Sequence, residues 1–265
     1  MVEYYRQVDS FLKTEVNRLH DLPFMKHADS LQSIRFLTGN SSLTSLAYVY
    51  VDPERLAANF RAIIDLLRVS SPKNPLTLAL HQQPIADDLE TLSWSEPMAK
   101  LEKSMLQWAE RRGLDGESLL QMLQWAMSPF WRLAAERYAD ELRQLVTNGK
   151  SACPVCGNHP DFAILDDNEH GRRYLYCLCC NWTWPFKRMG CGYCGNDDSN
   201  QLGYLLLEEF KGYKIYCCEQ CKSYLKTIDH REATARLDLN PLLEHVKSLF
   251  LDVLAIEKGY LPMHG

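Results

Sequence analysis

The 265-residue chain has no cysteine before Cys153, no apolar run of about 20 residues and no excess of basic residues. Without a long apolar run, insertion into a membrane as a helix is not expected. The first residues lack the apolar stretch of a signal peptide, so a cytoplasmic location is expected. The net charge is −5, and residues 151–265 contain 12 basic and 15 acidic residues. This balance disfavours nucleic acid as a partner, because phosphate binding usually needs a basic surface.

Sequence motifs of several enzyme classes are also missing. The chain has no glycine-rich phosphate loop, no G-x-S-x-G sequence and no His-Glu-x-x-His sequence. No catalytic apparatus is indicated, and a non-enzymatic function is predicted.

The first 149 residues are predicted to form an all-helical domain. Apolar side chains recur at three- and four-residue spacing from Tyr4 to Leu19, which places them on one face of a helix. Asp52-Pro53 predicts the start of a second helix, with an N-cap followed by proline in the first turn. Further helix starts are predicted near Ser95, near Asp115 and at Ser128-Pro129.

All ten cysteines lie between Cys153 and Cys221, and eight of them form Cys-x-x-Cys pairs. The four pairs are Cys153/Cys156, Cys177/Cys180, Cys191/Cys194 and Cys218/Cys221. A disulfide framework is disfavoured because disulfides rarely persist in the cytosol. Two thiolates in one tight turn can converge on a metal ion at about 2.3 Å, and two such turns complete a tetrahedral site. We call each Cys-x-x-Cys turn a knuckle, and the sequence predicts that the knuckles hold metal.

The knuckles belong to a tandem repeat. The sequence CPVCGN at 153–158 parallels CGYCGN at 191–196, and GRRYLYC at 171–177 parallels GYKIYCC at 212–218. Each repeat therefore contains a knuckle, a hairpin and a second knuckle. This order predicts that the first knuckle shares an ion with the second and the third with the fourth, although crossed pairing remains an alternative. Two metal ions, zinc or iron, are predicted, and closed four-cysteine sites are usually structural.

Several other residues near the knuckles have two possible interpretations. Cys179 and Cys217 are either competing ligands or reactive thiols, or, as we favour, small buried side chains. His159 is a less favoured alternative ligand because four cysteines already complete a site. The aromatic and basic residues from Trp182 to Arg188 suit binding of a peptide or single-stranded RNA, but packing between two small domains is favoured.

A last helix is predicted from Asn240-Pro241 to Lys258-Gly259 and is expected to pack on the rest of the chain. Its predicted apolar stripe consists of Leu242, Val246, Leu249, Phe250, Val253 and Leu254. The predicted fold class is α plus small β: a helical domain, two tandem rubredoxin-like or zinc-ribbon units and a C-terminal helix. The predicted limits are 1–149, 150–188, 189–236 and 237–265.

Residues 150–260 resemble the formate dehydrogenase accessory protein family of the FdhE type. The resemblance includes the first and third knuckles with their following glycines, YLYCLCC at 174–180, WPFKR at 184–188, and CEQCKSYLK at 218–226. The tail LDVLAIEKGY at 251–260 also looks like the closing helix of that family.

The resemblance implies a cytoplasmic maturation factor with two rubredoxin-like metal sites, whose ligands match the eight knuckle cysteines. It also implies contact with the catalytic subunit of a formate dehydrogenase or a related molybdenum or tungsten enzyme. Two other functions remain open: a rubredoxin-like iron protein that carries electrons, and a zinc-ribbon module that binds nucleic acid.

Overall fold

The computed structural model describes residues 2–20, 42–43, 49, 51–81, 92, 98–144, 151–168, 170–232 and 240–262. The chain divides into two compact units, Met1–Phe24 with Tyr50–Leu133 and Met25–Val49 with Ala134–Gly265. The predicted class, helices followed by a small sheet with two four-cysteine clusters, is confirmed. The finer domain limits given above stay a prediction. Among the described residues, no helix is both long and apolar enough to cross a membrane.

Six helices precede the first knuckle in the described part of the chain. They are α1 (Val2–His20), α2 (Pro53–Ser70), α3 (Pro75–His81), α4 (Met98–Arg112), α5 (Gly116–Arg137) and α6 (Ala139–Gln144). The predicted start near Asp115 is confirmed, since the Asp115 carboxylate accepts a hydrogen bond from the Ser118 backbone N–H at 3.3 Å. The predicted start near Ser95 lies outside the described residues.

Helices α1 and α2 form as the sequence predicts. In α1 the buried apolar residues are Tyr4, Val8, Leu12, Val16 and Leu19. Helix α2 begins at Pro53, and its N-cap Asp52 accepts a hydrogen bond from the Arg55 N–H at 2.8 Å. The buried carboxylate of Glu15 in α1 lies 3.4 Å from the Arg55 guanidinium in α2. An apolar stripe and one partly buried ion pair thus join the two helices.

The prediction of a new helix at Ser128-Pro129 is wrong, because α5 continues through Pro129. Proline inside a helix removes one backbone hydrogen bond and weakens the ladder nearby. Here the buried amide of Asn59 donates to the Ala126 carbonyl, three residues before Pro129, at 3.1 Å. Pro129 lacks the N–H that would bond the Trp125 carbonyl, and this side-chain bond from α2 reaches the next carbonyl along the helix; no sequence-local signal reports it.

The cysteine-rich part forms one six-stranded sheet. Its strands are β1 (Phe162–Leu165), β2 (Arg173–Tyr176), β3 (Thr183–Phe186), β4 (Leu202–Leu206), β5 (Tyr213–Cys218) and β6 (Tyr224–Asp229). The spatial order is β3-β2-β1-β6-β5-β4. Each repeat supplies three antiparallel strands, and the two halves join where β1 pairs in parallel with β6.

The end of the chain forms two helices, α7 (Pro241–Lys247) and α8 (Leu249–Glu257), where one was predicted. At Ser248 the backbone N–H closes α7 on Glu244, and the hydroxyl donates to the His245 carbonyl at 3.1 Å. This break changes the helical phase. Leu251 and Ala255 are therefore the buried residues of α8, whereas Val253 of the predicted stripe is 57% exposed.

The two last helices pack on the sheet. Leu251 and Ala255 lie in a buried cluster with Ile215 and Cys217 of β5. A polar network surrounds this cluster: the buried Lys226 ammonium lies 2.9 Å from the Asp252 carboxylate and 3.3 Å from His245 Nδ1.

Asp229 at the end of β6 is fully buried, and its contacts predict that it contributes to the free energy of unfolding. Its carboxylate accepts hydrogen bonds from Lys214 at 2.7 Å and from Arg231 at 2.7 and 2.8 Å. Burial opposes ionisation, but these bonds outweigh it and hold the pKa of Asp229 well below its usual range. Asp229→Asn is expected to lower the free energy of unfolding by about 3 kcal/mol, since it leaves two cations without their buried anion.

Urea unfolding of the wild type and of Asp229→Asn at several pH values checks this expectation. A carboxylate with a depressed pKa stabilises fully above its unfolded pKa of about 3.9 and loses that effect only as the pH falls toward the folded value. The difference between the proteins should therefore stay constant from about pH 6 to 8. Asp140→Asn is the control, because Asp140 is 87% exposed beside Arg143 and such pairs contribute about 0–1 kcal/mol. Equal losses in the two variants would contradict the expectation.

Candidate metal centres

The four knuckles share one backbone conformation. In each, the N–H of the first cysteine donates to the carbonyl five residues later, at 2.8 to 3.0 Å: Cys153 to Asn158, Cys177 to Trp182, Cys191 to Asn196 and Cys218 to Ser223. The residue after the second cysteine is left-handed in every knuckle. These residues are Gly157 (φ 85°), Asn181 (φ 57°), Gly195 (φ 76°) and Lys222 (φ 54°). The turn places this residue in the left-handed region, which glycine adopts most easily. Two of the knuckles nevertheless have asparagine or lysine there.

The first cluster consists of the sulfurs of Cys153, Cys156, Cys177 and Cys180, all of them buried. The Cys153 and Cys180 Sγ atoms are 3.4 Å apart, and those of Cys156 and Cys177 are 3.5 Å apart. Sulfurs placed tetrahedrally at about 2.3 Å from an ion are about 3.8 Å apart, whereas a disulfide needs about 2.05 Å. The spacing suits four ligands of one ion.

The second cluster consists of Cys191, Cys194, Cys218 and Cys221. The Cys191 and Cys221 Sγ atoms are 3.6 Å apart, and those of Cys194 and Cys218 are 3.8 Å apart. Unlike the first cluster, this one reaches the surface, since Cys194 is exposed and Cys221 is partly exposed. The grouping is sequential, as the repeat predicts, and not crossed.

The donor sets fit zinc or iron. In each cluster the four sulfurs lie within 4.8 Å of one another, and soft thiolates select such metals. An ion bound in each cluster would offset part of the thiolate charge and cross-link two knuckles. Which metal binds, and that these eight cysteines are the ligands, stay predictions.

One thiol in each cluster has a pKa below that of an ordinary thiol. Burial disfavours the Cys156 thiolate, but hydrogen bonds from neighbouring thiols outweigh it and lower the pKa of Cys156 to about 7. In the second cluster the hydroxyl and N–H of Ser223 lower the pKa of Cys221 to about 7 despite burial, with the Ser223 Oγ 2.8 Å from the Cys221 Sγ. Burial raises the pKa of Cys180 and of Cys191. A cation that binds four thiolates must therefore displace protons from the remaining thiols.

Cys179, Cys217 and His159 lie outside both clusters. Cys217 is buried among apolar side chains of β5 and α8, and burial raises its pKa to about 11. Burial also raises the pKa of Cys179 well above its usual value. Both are therefore poor nucleophiles at neutral pH. The His159 ring packs edge-on against Tyr193 at 5.4 Å.

The aromatic and basic segment 182–188 is part of the sheet. Its residues from Thr183 to Phe186 form β3, and Trp184 is 1% exposed. Lys187 donates to the Gly195 carbonyl at 2.8 Å and pairs with Asp197 at 3.0 Å. The burial of Trp184 fits the interpretation that this segment packs inside the protein. Lys187 is not only a solvated charge, because its contacts connect the end of the first repeat to the knuckle that contains Cys194.

Residues far away in the sequence support the first knuckle. The Leu43 N–H donates to the Pro154 carbonyl at 2.9 Å, and both Ser42 and Leu43 are buried. A Cβ added at Gly157 would lie 3.2 Å from the Ser42 hydroxyl. Sequence analysis missed these contacts and the role of Ser223, since no spacing rule connects them to the cysteines.

Comparison with known proteins confirms the resemblance. Residues 152–188 match the model of a family described as FdhE, central domain. A Protein FdhE homolog of Aquifex aeolicus is 36% identical over 116 residues, which cover 43% of this chain and 40% of that protein. The homolog of Haemophilus influenzae strain PittGG is 30% identical over 136 residues, which cover 51% of this chain and 44% of that protein. The match thus spans less than half the length of these relatives.

A solved structure shares the fold. The crystal structure of the FdhE protein from Pseudomonas aeruginosa superposes with a TM-score of 0.56 and 21% identity, over 98% of this chain and 86% of that one. The likeness in fold thus extends beyond the part matched in sequence.

Proposed function

We propose that this protein is a non-enzymatic accessory factor in the maturation of a formate dehydrogenase, and that it contacts the catalytic subunit of that molybdenum or tungsten enzyme in the cytoplasm. The observation that supports this most directly is the pair of four-sulfur clusters in one sheet, whose first half matches the FdhE central domain. The fold shared with a solved FdhE protein adds to it.

The geometry of the clusters supports a structural use of the metal. Among the described residues, the buried apolar clusters on the sheet are small, and each ion would cross-link two of its knuckles. Structural four-cysteine zinc sites contribute folding free energy on the order of 10 kcal/mol in small domains. Zinc or iron in the two centres would thus hold the strands and their loops in place.

One observation favours a second candidate, a rubredoxin-like iron protein that exchanges electrons. Cys194 is exposed, so the second centre lies close enough to the surface to meet a redox partner. The test is the visible spectrum and metal content of protein purified without air. Reversibly bleached iron absorption would favour this candidate, and two zinc ions per chain would exclude its iron-based form.

A nucleic-acid-binding zinc ribbon has no comparable support. Residues 151–265 are already net acidic, and each occupied four-thiolate centre adds a charge of about −2. Phosphate contacts need the opposite sign.

Affinity capture tests the proposal. The tagged protein is incubated without air with the purified formate dehydrogenase catalytic subunit, beside a Cys153→Ser/Cys156→Ser variant and a Cys179→Ser control. We expect the wild type and Cys179→Ser to retain the subunit and the double variant to lose it, because only the double variant removes ligands. Failure of the wild type to bind any catalytic subunit supplied, with both metal ions in place, would contradict the proposal.

A further inference from the structure

A cavity of about 140 Å³ lies beside the second centre. It is enclosed by the segment Met189–Tyr193 and by parts of β2, β4, β5 and β6. Its wall is largely apolar and aromatic, and no residue that lines it has a carboxylate. A cavity of roughly 150 Å³ accommodates benzene, so the space suits a small organic group. Met189 and Tyr204 at its wall are 51% and 57% exposed, so part of the wall lies at the protein surface.

Arg173 of β2 is the charged side chain in this wall. It is 1% exposed, and its Nη1 donates to the Gly190 carbonyl at 2.7 Å. Its Nε and Nη2 are buried and have no hydrogen-bond partner among the described residues. These two N–H groups lie on the same edge of the guanidinium and point in parallel, the arrangement that binds both oxygens of one carboxylate.

The position of the guanidinium is fixed by its neighbours. Its Cζ lies 4.7 Å from the centre of the Tyr216 ring and 5.6 Å from that of Phe186. Burial lowers the pKa of Arg173 to about 10, so the side chain stays protonated at neutral pH. A buried cation with two unpaired donors is costly unless an anion completes it.

The second metal centre does not supply the anion that would complete the hydrogen bonds of Arg173. The Cys191 thiolate is near enough to favour the charged form of Arg173, yet its sulfur accepts neither of the two free N–H groups. The Coulomb attraction therefore stabilises the charge, and the two N–H groups stay without a hydrogen-bond partner among the described residues.

We propose that this cavity binds the carboxylate of a small ligand through Arg173 Nε and Nη2, with the apolar part of the ligand against Tyr216 and Leu202. The carboxylate has two possible sources, a free organic acid or the C-terminal residue of a protein. The site does not depend on the client proposed above, and loss of client binding would leave it unaffected.

Calorimetric titration of the full metal-bound chain with sodium propionate tests the site, and propionamide is the neutral probe of the same shape. Saturable binding of propionate is expected for the wild type, without binding of propionamide. Arg173→Lys keeps the charge and loses the parallel donors, so it should weaken binding at least about tenfold, and Arg173→Met should abolish it. Arg172→Met is the matched control, because the neighbouring Arg172 is exposed and lies over Tyr174; it should bind as the wild type does.

A second measurement observes binding in the wild-type protein and uses a variant only to assign the signal. In wild-type protein labelled with ¹⁵N-arginine, propionate should shift one Nε–H resonance, and Arg173→Lys should lack that resonance. An acetylated tripeptide with a free C-terminus is then compared with its amide. Tighter binding of the free peptide than of propionate assigns the site to a protein terminus, and binding of propionate alone assigns it to a free acid.

Three results would overturn the inference: no saturable binding of propionate or of the free peptide, equal binding of propionamide, or binding by Arg173→Met that equals the wild type. Metal content is measured for each protein. An Arg173→Met variant that loses the second ion while the wild type ignores propionate would assign Arg173 to the metal centre alone.

Discussion

Replacing Cys153 with serine is expected to release the metal ion from the first centre and to unfold the six-stranded sheet. Cys153 is 1% exposed, and its Sγ lies 3.4 Å from that of Cys180. A serine hydroxyl is a poor ligand for a soft site. The loss, on the order of 10 kcal/mol for a four-cysteine zinc site, is comparable with the whole stability of a domain, about 5–15 kcal/mol.

Unfolding should extend beyond the first repeat because of the way the sheet is joined. The knuckle of Cys153 leads into β1, and β1 is the strand that pairs with β6 of the second repeat. Loss of the first centre therefore releases a central strand and not an edge. Metal content per chain and far-ultraviolet circular dichroism measure the two parts of this expectation.

Cys179→Ser is the control, since Cys179 lies in the second knuckle of the same centre but outside the cluster of four sulfurs. It should keep both ions and the sheet. A Cys153→Ser protein with two ions and the wild-type spectrum would show that the four buried sulfurs are not the ligands of one ion.

The knuckles were predictable because their chemistry is local. Two cysteines three positions apart and a following glycine specify a tight turn, and the repeat of that turn favoured sequential over crossed pairing of the knuckles. A rule based on glycine does not identify Asn181 and Lys222, although both adopt the same left-handed conformation as Gly157 and Gly195. A glycine pattern alone would therefore have found only two of the four turns.

What could not be predicted depends on contacts between distant residues. The union of both repeats in one sheet follows from the β1–β6 pairing, which joins residues more than 60 positions apart. Helix α5 passes through Pro129 beside a hydrogen bond from Asn59, 67 positions from Ala126. Likewise, the unpaired edge of Arg173 is visible only once the fold brings its guanidinium over the Tyr216 ring of β5. Local sequence patterns predict turns and helices, whereas tertiary contacts determine where these elements end.

The two centres are expected to lose their metal at different rates when a chelator is added. All four sulfurs of the first centre are buried, whereas Cys194 of the second is exposed and Cys221 partly so. A chelator can replace an exposed ligand stepwise, while a buried centre opens only when the sheet opens. Metal release measured with a colorimetric chelator should therefore have two phases, the faster one belonging to the second centre.

Lys187 gives a way to assign the fast phase. It donates to the Gly195 carbonyl at 2.8 Å and pairs with Asp197 at 3.0 Å, so it steadies the turn that follows Cys194. Loss of such an outer-shell contact typically costs about 10–100-fold in metal affinity. Lys187→Met should therefore accelerate the fast phase and leave the slow phase unchanged, while Lys211→Met, at an exposed lysine in the β4–β5 turn, should change neither. If Lys187→Met accelerated the slow phase instead, the first centre would be the labile one, and exposure of Cys194 would not govern release.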